Sequence, residues 1–219
     1  MYKKDVKKFW NNLSNVSDFG NKEPAKFLFN YFSGLSEKKN IKVLDIGCGG
    51  GRNTVMLIKL GFDVFSCDLH EEMVNFTKKR VEKLSIKKKA EVIISSMLHL
   101  SYPDKEFDYV VSNGVFHNAS SLQELNTTVK EASRVLKNNG ELLLNMFSAQ
   151  VIDSNLCCFD KFVYITPQKL PMILATKEYI EDILIKNNLY LIGEIKETEV
   201  LISTGRRSVL RGVFKKIDD

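Results

Sequence analysis

No stretch of about 18 consecutive apolar residues, the length a membrane-spanning helix needs, occurs in this chain, so no such helix is expected. The opening residues Met1-Tyr-Lys-Lys-Asp-Val-Lys-Lys lead into Phe9-Trp10-Asn-Asn without an apolar core or a small-residue cleavage site, which argues against a secretory signal. Cysteine is scarce. Cys48, Cys67, Cys157 and Cys158 lack the paired spacing of a zinc site, and the adjacent Cys157 and Cys158 could not staple distant parts of a fold. Free thiols in a reducing cytoplasm, and no metal, are therefore expected. Clustered positive charge is missing too: the net charge is +5, but the lysines are scattered or interleaved with acids. A nucleic-acid stripe would need cations on one face with stacking aromatics. A solvated lysine-rich face is expected instead, and nucleic acid is not an expected partner. Internal repeats and low-complexity linkers are also absent. With 44% hydrophobic and 27% charged residues over 219 positions, the chain can bury a core without disulfides or metals, and one domain over residues 1–219 is expected.

From residue 41 onward, short β-branched runs alternate with amphipathic stretches, the pattern of a parallel sheet covered on both faces. Strands are expected at Ile41–Ile46, Phe62–Cys67, Ala90–Ile94, Phe107–Val111 and Glu141–Phe147. Between them, Arg52–Leu60, Glu71–Leu84 and Ser121–Leu136 place apolar residues at helical spacing. Gly61 fits a C-cap, and Lys137-Asn-Asn-Gly140 a turn. The tail breaks the alternation: one helix, Thr176–Asn187, precedes strands at Leu189–Ile192 and Ser208–Phe214. A closing antiparallel hairpin would complete an α/β sheet of seven strands, mostly parallel. The first 35 residues hold Phe9, Trp10, Phe19, Phe27, Phe29, Tyr31 and Phe32 and are expected to pack as a helical cap over one end of the sheet. Residues 148–175 show no clear period. Long irregular segments in compact domains tend to be functional lids, so a substrate cover carrying Asp153, Phe159, Asp160, Phe162 and Tyr164 is expected there.

In an open parallel sheet, ligands bind beyond the carboxyl ends of the strands, and the first strand-to-helix turn is the usual contact. That turn is Asp45-Ile-Gly47-Cys48-Gly49-Gly50-Gly51. Glycines let a backbone approach a ligand closely, and the following helix offers free N–H groups. A dinucleotide fingerprint G-x-G-x-x-G fails in both registers, because its third glycine falls on Arg52 or Thr54, and no Lys-Ser/Thr follows to cradle phosphates. A carboxylate entering the loop at Asp45 disfavours a pyrophosphate and suits a cationic amino group. Asp68, ending the second strand, stands where an acid accepts the hydroxyls of a ribose. Ser96-Met97-Leu98 after the third strand offers an apolar wall and backbone groups to a base, and Asn113-Gly114 after the fourth can reach the opposite end of the ligand.

Four motifs in this order, Val43-Leu-Asp-Ile-Gly-Cys-Gly-Gly-Gly51, Cys67-Asp-Leu-His-Glu-Glu-Met73, Phe107-Asp-Tyr-Val-Val-Ser-Asn-Gly-Val-Phe-His117 and Arg134-Val-Leu-Lys-Asn-Asn-Gly140, resemble the class I (Rossmann-like) S-adenosylmethionine-dependent methyltransferases over roughly Ile41 to Phe147. Cys48-Gly-Gly-Gly-Arg-Asn53 with Gly61-Phe-Asp-Val64 also looks like the tellurite-resistance and thiopurine methyltransferase neighbourhood, a short match that is silent on substrate. The resemblance implies S-adenosyl-L-methionine as cofactor and S-adenosyl-L-homocysteine as product. It puts Asp45 and the backbone of Gly47, Cys48, Gly49 and Gly51 at the methionine moiety, Asp68 at the ribose, and Leu69, Met73, Met97 and Leu98 at the adenine. Ser96 departs from the family pattern, where many relatives use an aspartate toward the adenine amino group; its hydroxyl or the Met97 backbone would have to serve.

His117, past the fourth strand, is the candidate catalytic base, since imidazole titrates near neutrality; the alternative is a pocket-lining residue. His70 and His99 are expected at the surface, and Cys48 as a small loop filler. Trp10 and Tyr164 are candidate substrate contacts, Trp10 as part of an aromatic lid or else as core. Arg206-Arg207 would bind an acidic substrate or, preferably, cap the hairpin. The function expected is methyl transfer to a small-molecule N, O or S acceptor. An RNA or protein methyltransferase and a non-catalytic S-adenosylmethionine-binding module are the alternatives.

Overall fold

The computed structural model describes Trp10, Asn12, Ser17 and residues 20–84, 88–202 and 205–217. Phe9, Phe19 and much of the expected N-terminal cap lie outside the described residues. A seven-stranded sheet forms the centre, in the order β3-β2-β1-β4-β5-β10-β9. Its strands are β1 (Lys42–Ile46), β2 (Asp63–Asp68), β3 (Ala90–Ile94), β4 (Phe107–Asn113), β5 (Leu136–Ile152), β9 (Leu189–Ile202) and β10 (Gly205–Lys216). β1 to β5 pair in parallel, and β10 runs antiparallel to both β5 and β9. The order reverses between β1 and β4, so a crevice opens beyond their carboxyl ends, at the point where doubly wound sheets take ligands.

Alternation along the buried strands sends neighbouring side chains to opposite faces. Val43, Val64, Val111 and Leu143 form one core with α1 (Lys26–Ser33) and α2 (Arg52–Leu60). Leu44, Phe65, Val110 and Leu142 form the other, under α4 (Leu122–Val135) and α5 (Lys177–Ile185). Helix α3 (Glu71–Glu82) presents Val74 to Val92 of β3. Each such fully buried apolar side chain contributes roughly 1.5–3 kcal/mol. Caps set the helix boundaries: the Ser121 hydroxyl accepts the Glu124 N–H at 3.1 Å and the Thr176 hydroxyl accepts the Tyr179 N–H at 3.3 Å. Gly61 takes a left-handed φ of 100° as the C-cap of α2. The Arg134 guanidinium reaches the carbonyls of Leu100 and Tyr102 and the carboxylates of Glu131 and Asp104, tying the β3–β4 connection to α4.

Four differences from the sequence expectation have physical reasons. The aromatic helix α1 lies over a sheet face rather than an end: Phe32 packs edge-on against Phe62 and Tyr109, and the Tyr31 hydroxyl bonds Glu141, while Phe29 remains exposed. The expected turn at residues 137–140 is absorbed into β5, where the ladder skips from Leu136 to Glu141 and Asn139 adopts φ 62°. Residues 148–152 extend β5 along β10. The remainder of the irregular segment is a small antiparallel sheet of β6 (Cys157–Asp160), β7 (Val163–Ile165) and β8 (Pro171–Ile173). Finally, β9 runs ten residues past the expected Ile192, because Glu194, Lys196 and Glu199 mask its strand pattern. Among the described residues no helix is long and apolar enough to cross a membrane. Cys48 and Cys67 are buried and Cys157 and Cys158 exposed, all as free thiols.

Candidate functional site

A cleft of about 1520 Å³ runs along the carboxyl ends of the parallel strands. Its floor at β1 is the glycine loop, which is pinned from several sides. The Cys48 N–H bonds the Cys67 carbonyl at 2.9 Å, and the Gly49 N–H bonds Asp68 Oδ2 at 3.0 Å. Helix α3 holds the loop carbonyls, with the Thr77 hydroxyl donating to Gly49 O at 2.7 Å and Arg80 Nη1 to Gly50 O at 2.7 Å. A side chain added at Gly49 would meet nothing within 4 Å, so this residue leaves the cleft open over the loop.

Asp68 is 8% exposed and lines the cleft. Its second oxygen accepts the His70 N–H at 3.0 Å, so two amides fix the carboxylate while burial pushes its pKa upward. Leu69, 59% exposed, and the buried Met73 follow it on the wall, facing Ser96, Met97 and Leu98 from the next connection. The Ser96 hydroxyl accepts the Leu98 N–H at 3.1 Å, which keeps that turn closed. Asn113 and Gly114 line the far side; Asn113 Oδ1 is buried without a hydrogen-bond partner among the described residues.

The structure brings Gly47, Cys48, Gly49, Asp68, Leu69, Met73, Ser96, Met97, Leu98, Asn113, Gly114 and His117 to one cleft. Asp45 and Gly51 lie behind its wall. Asp45 is 1% exposed and accepts the Thr54 hydroxyl at 2.7 Å, and Thr54 in turn bonds Ser66 at 3.0 Å. Burial raises the Asp45 pKa to about 6, against the pull of Thr54 and Arg52. Held by Thr54 below the loop, Asp45 does not itself line the cleft in which a cationic amino group is expected. Burial lifts the Cys48 thiol well above its usual range, which suits a loop filler.

Trp10 also lines the cleft, but at the Asp68 end, 6.3 Å ring to ring from His70. His70 itself lines the cleft instead of lying at the surface, whereas His99 is exposed. Tyr164 packs on the cluster of Leu156, Met172 and Leu174, away from the cleft wall. The cover contributes Thr166, Gln168, Leu170, Pro171 and Met172 in its place, from the turn into β8. Arg206 and Arg207 also miss the cleft wall. The Arg206 N–H bonds Asp153 at 2.6 Å and its side chain bonds Glu199 at 2.5 Å, while Arg207 is fully buried. They tie the hairpin, as preferred from the sequence. Arg52, Asn145, Phe147 and Arg211 line the cleft and were missed. Their signal was a polar residue interrupting an apolar strand, as in Leu142-Leu-Leu-Asn145 and Val209-Leu-Arg211.

His117 occupies a single 3-10 turn, 4% exposed, with its ring stacked 4.2 Å from Phe147. Its Nδ1 accepts the Phe147 N–H at 3.1 Å, so the neutral ring carries its proton on Nε2. Burial, helped by the nearby Arg207 cation, lowers its pKa to about 3. In this tautomer the Nδ1 lone pair is engaged and Nε2–H is a donor, so the expected general-base role would need Nδ1 released from the Phe147 N–H. A depressed histidine pKa contributes stability that is complete above the unfolded value near 6.5 and is lost as pH falls toward 3. Replacing His117 by Asn should therefore flatten the acid side of the stability curve. Well below pH 6.5, the difference in unfolding free energy between wild type and variant is expected to change by about 1.4 kcal/mol per pH unit. Taking the difference removes Asp45, whose raised pKa acts with the opposite sign between 3.8 and about 6. A difference in unfolding free energy between wild type and variant that is the same at pH 5 and pH 7 would contradict the assigned tautomer and burial.

Residues 44–144 match the family described as a methyltransferase domain. The seven-stranded order, with the cleft at its switch point, frames that stretch. Among curated relatives, the chain is similar to the ubiquinone biosynthesis O-methyltransferase of Pelagibacter ubique, 30% identical over 106 residues, 48% of this chain and 42% of that one. It is also similar to the ubiquinone/menaquinone biosynthesis C-methyltransferase of Rickettsia massiliae, 29% identical over 150 residues, 65% of this chain and 59% of that one. The chain thus spans about half the length of these relatives. A solved S-adenosylmethionine-dependent methyltransferase from Methanosarcina mazei shares the fold, with a TM-score of 0.72 at 18% identity, covering 90% of this chain and all of that one.

Proposed function

We propose that this chain transfers a methyl group from S-adenosylmethionine to a small-molecule acceptor. The observation that carries the reading is the pinned loop at the sheet's switch point. There Gly49 leaves open space above the backbone and the Asp68 carboxylate, held by two amides, faces the same cleft. The Pelagibacter and Rickettsia relatives, both named for quinone biosynthesis, support a small-molecule acceptor. The second name adds carbon to the acceptor atoms considered, beyond N, O and S.

These residues fit the cofactor: Asp68 for the ribose hydroxyls, Leu69, Met73, Met97 and Leu98 as apolar surfaces for the adenine, Ser96 at its edge, and the loop backbone with Asn113 and Gly114 for the amino-acid end. When bound, the sulfonium supplies an electrophilic methyl group. The chain then has to align an acceptor and exclude water. The turn Thr166–Met172 is placed to cover the cleft, and Phe147 with His117 forms its inner wall. His117, with its proton on Nε2, orients an acceptor by donating a hydrogen bond. Titration calorimetry tests the reading: S-adenosylmethionine should bind and NAD should not. Binding of NAD alone would overturn it.

A further inference from the structure

The cleft continues past the cofactor-binding end, across the carboxyl edge of the sheet. Asn113 of β4 pairs in register with Asn145 of β5, Asn145 with Arg211 of β10, and Arg211 with Lys196 of β9, and all four line the cleft. This is a polar and cationic row across four neighbouring strands. Two strand spacings, roughly 10 Å, separate Arg211 from the Asn113 end, which places it beyond the methionine moiety.

The hairpin is shaped to put Arg211 there. Its ladder shifts register between Arg211 and Val213: Lys196 pairs with Arg211 and Ile192 with Val213, so Gly193, Glu194 and Ile195 bulge opposite Gly212. Bulges bend strands and re-aim side chains, often next to active sites. Glu194 of the bulge, and Lys196, Thr198, Leu201 and Ile202 beyond it, wall the cleft. Lys196 is matched by Glu194 at 3.2 Å. Arg211 is not matched: its Nη1 donates to the Thr198 hydroxyl at 2.7 Å, and among the described residues no carboxylate pairs with it. A half-buried guanidinium that lacks an acid partner and is shielded from full hydration attracts an anion. Phe147, two residues along β5 from Asn145, adds an apolar ring to the same wall, and Met172 lines the cleft as well.

We infer that the acceptor is an apolar, ring-sized molecule bearing one anionic group, a carboxylate or a phosphate ester, which Arg211 and Asn145 bind while its body lies against Phe147. The inference rests on the methyltransferase reading and deepens it. It assigns Arg211 to substrate recognition and leaves the cofactor to Asp68 and the glycine loop.

The test uses the full chain saturated with S-adenosylhomocysteine and three probes of one shape: 2-naphthoate, 2-naphthyl phosphate and the neutral 2-naphthamide. At least one anion should bind about tenfold or more tightly than the amide, the scale of one charge-assisted hydrogen bond; which one does so identifies the group. Arg211→Gln should abolish that preference, Arg211→Lys should restore part of it, and neither should alter S-adenosylhomocysteine affinity. No anion preference in the wild type, or a preference that survives Arg211→Gln, overturns the inference. So does a loss of S-adenosylhomocysteine binding in Arg211→Gln, which would give Arg211 to the cofactor. If the wild type itself fails to bind S-adenosylhomocysteine, the methyltransferase reading falls first, an outcome the three probes do not produce.

Discussion

Replacing Asp68 by Ala is expected to weaken S-adenosylmethionine binding by about 1–3 kcal/mol, roughly ten- to a hundredfold, the worth of charge-assisted bonds from a buried carboxylate. The carboxylate has two tasks. It accepts the Gly49 and His70 amides at 3.0 Å each, and it presents its remaining lone pairs to the cleft. Asp68→Asn separates the two: its amide oxygen can still accept one of the backbone N–H groups, but the charge that would hold the ribose hydroxyls is gone. Asn should recover part of the folding stability that Ala loses and little of the affinity. Calorimetry of both variants beside their denaturation curves checks this, and unchanged affinity in Asp68→Ala would mean that the ribose sits elsewhere.

The glycine loop gives the second large effect, and the two tested glycines should fail differently. A Cβ on Gly47 would stand 2.5 Å from Val115 Cγ2, with the backbone at φ 65°. Val115 belongs to the turn that carries His117, so neither side can yield without moving the wall. Gly47→Ala is expected to destabilise the fold by about 2–4 kcal/mol through clash and strain. At Gly49 the φ is 54° but the added carbon meets nothing. Gly49→Ala should cost only about 1 kcal/mol in stability, while the methyl group occupies space reserved for the ligand and cofactor binding falls severely. Thermal unfolding with and without S-adenosylmethionine distinguishes them. A Gly49→Ala protein with normal ligand-induced stabilisation would show that the cradle faces another way.

Local patterning along the chain accounts for most of the sheet. β3 and α2 fall where the pattern puts them, and the caps at Ser121 and Thr176 bound α4 and α5 to within a residue or two. What escaped depends on pairing between distant segments. The outer half of β9 is charged on its exposed positions and becomes a strand only because β10 offers a ladder. The site divides the same way. Asp68 and the residues beside it follow directly from motifs, as strand ends must lie at the switch point. Asp45 was assigned to the ligand on its charge, yet the Thr54 hydroxyl, itself bonded to Ser66, holds it from beneath. The role of His117 turned on a backbone amide from Phe147, thirty residues away. Arg211 reaches the cleft through a bulge that local patterning did not reveal.

The strand order has a consequence for how such a molecule can change. The contacts proposed for the methyl donor come from the β1–β4 half of the sheet and its connections, whereas Asn145, Arg211, the outer hairpin and the Thr166–Met172 segment belong to the other half. Mutations that reshape the second set leave the first set's backbone ties intact. Selectivity for the methylated compound can therefore drift, or be engineered, by editing one hairpin and one turn, while the chemistry of the methyl source is inherited unaltered.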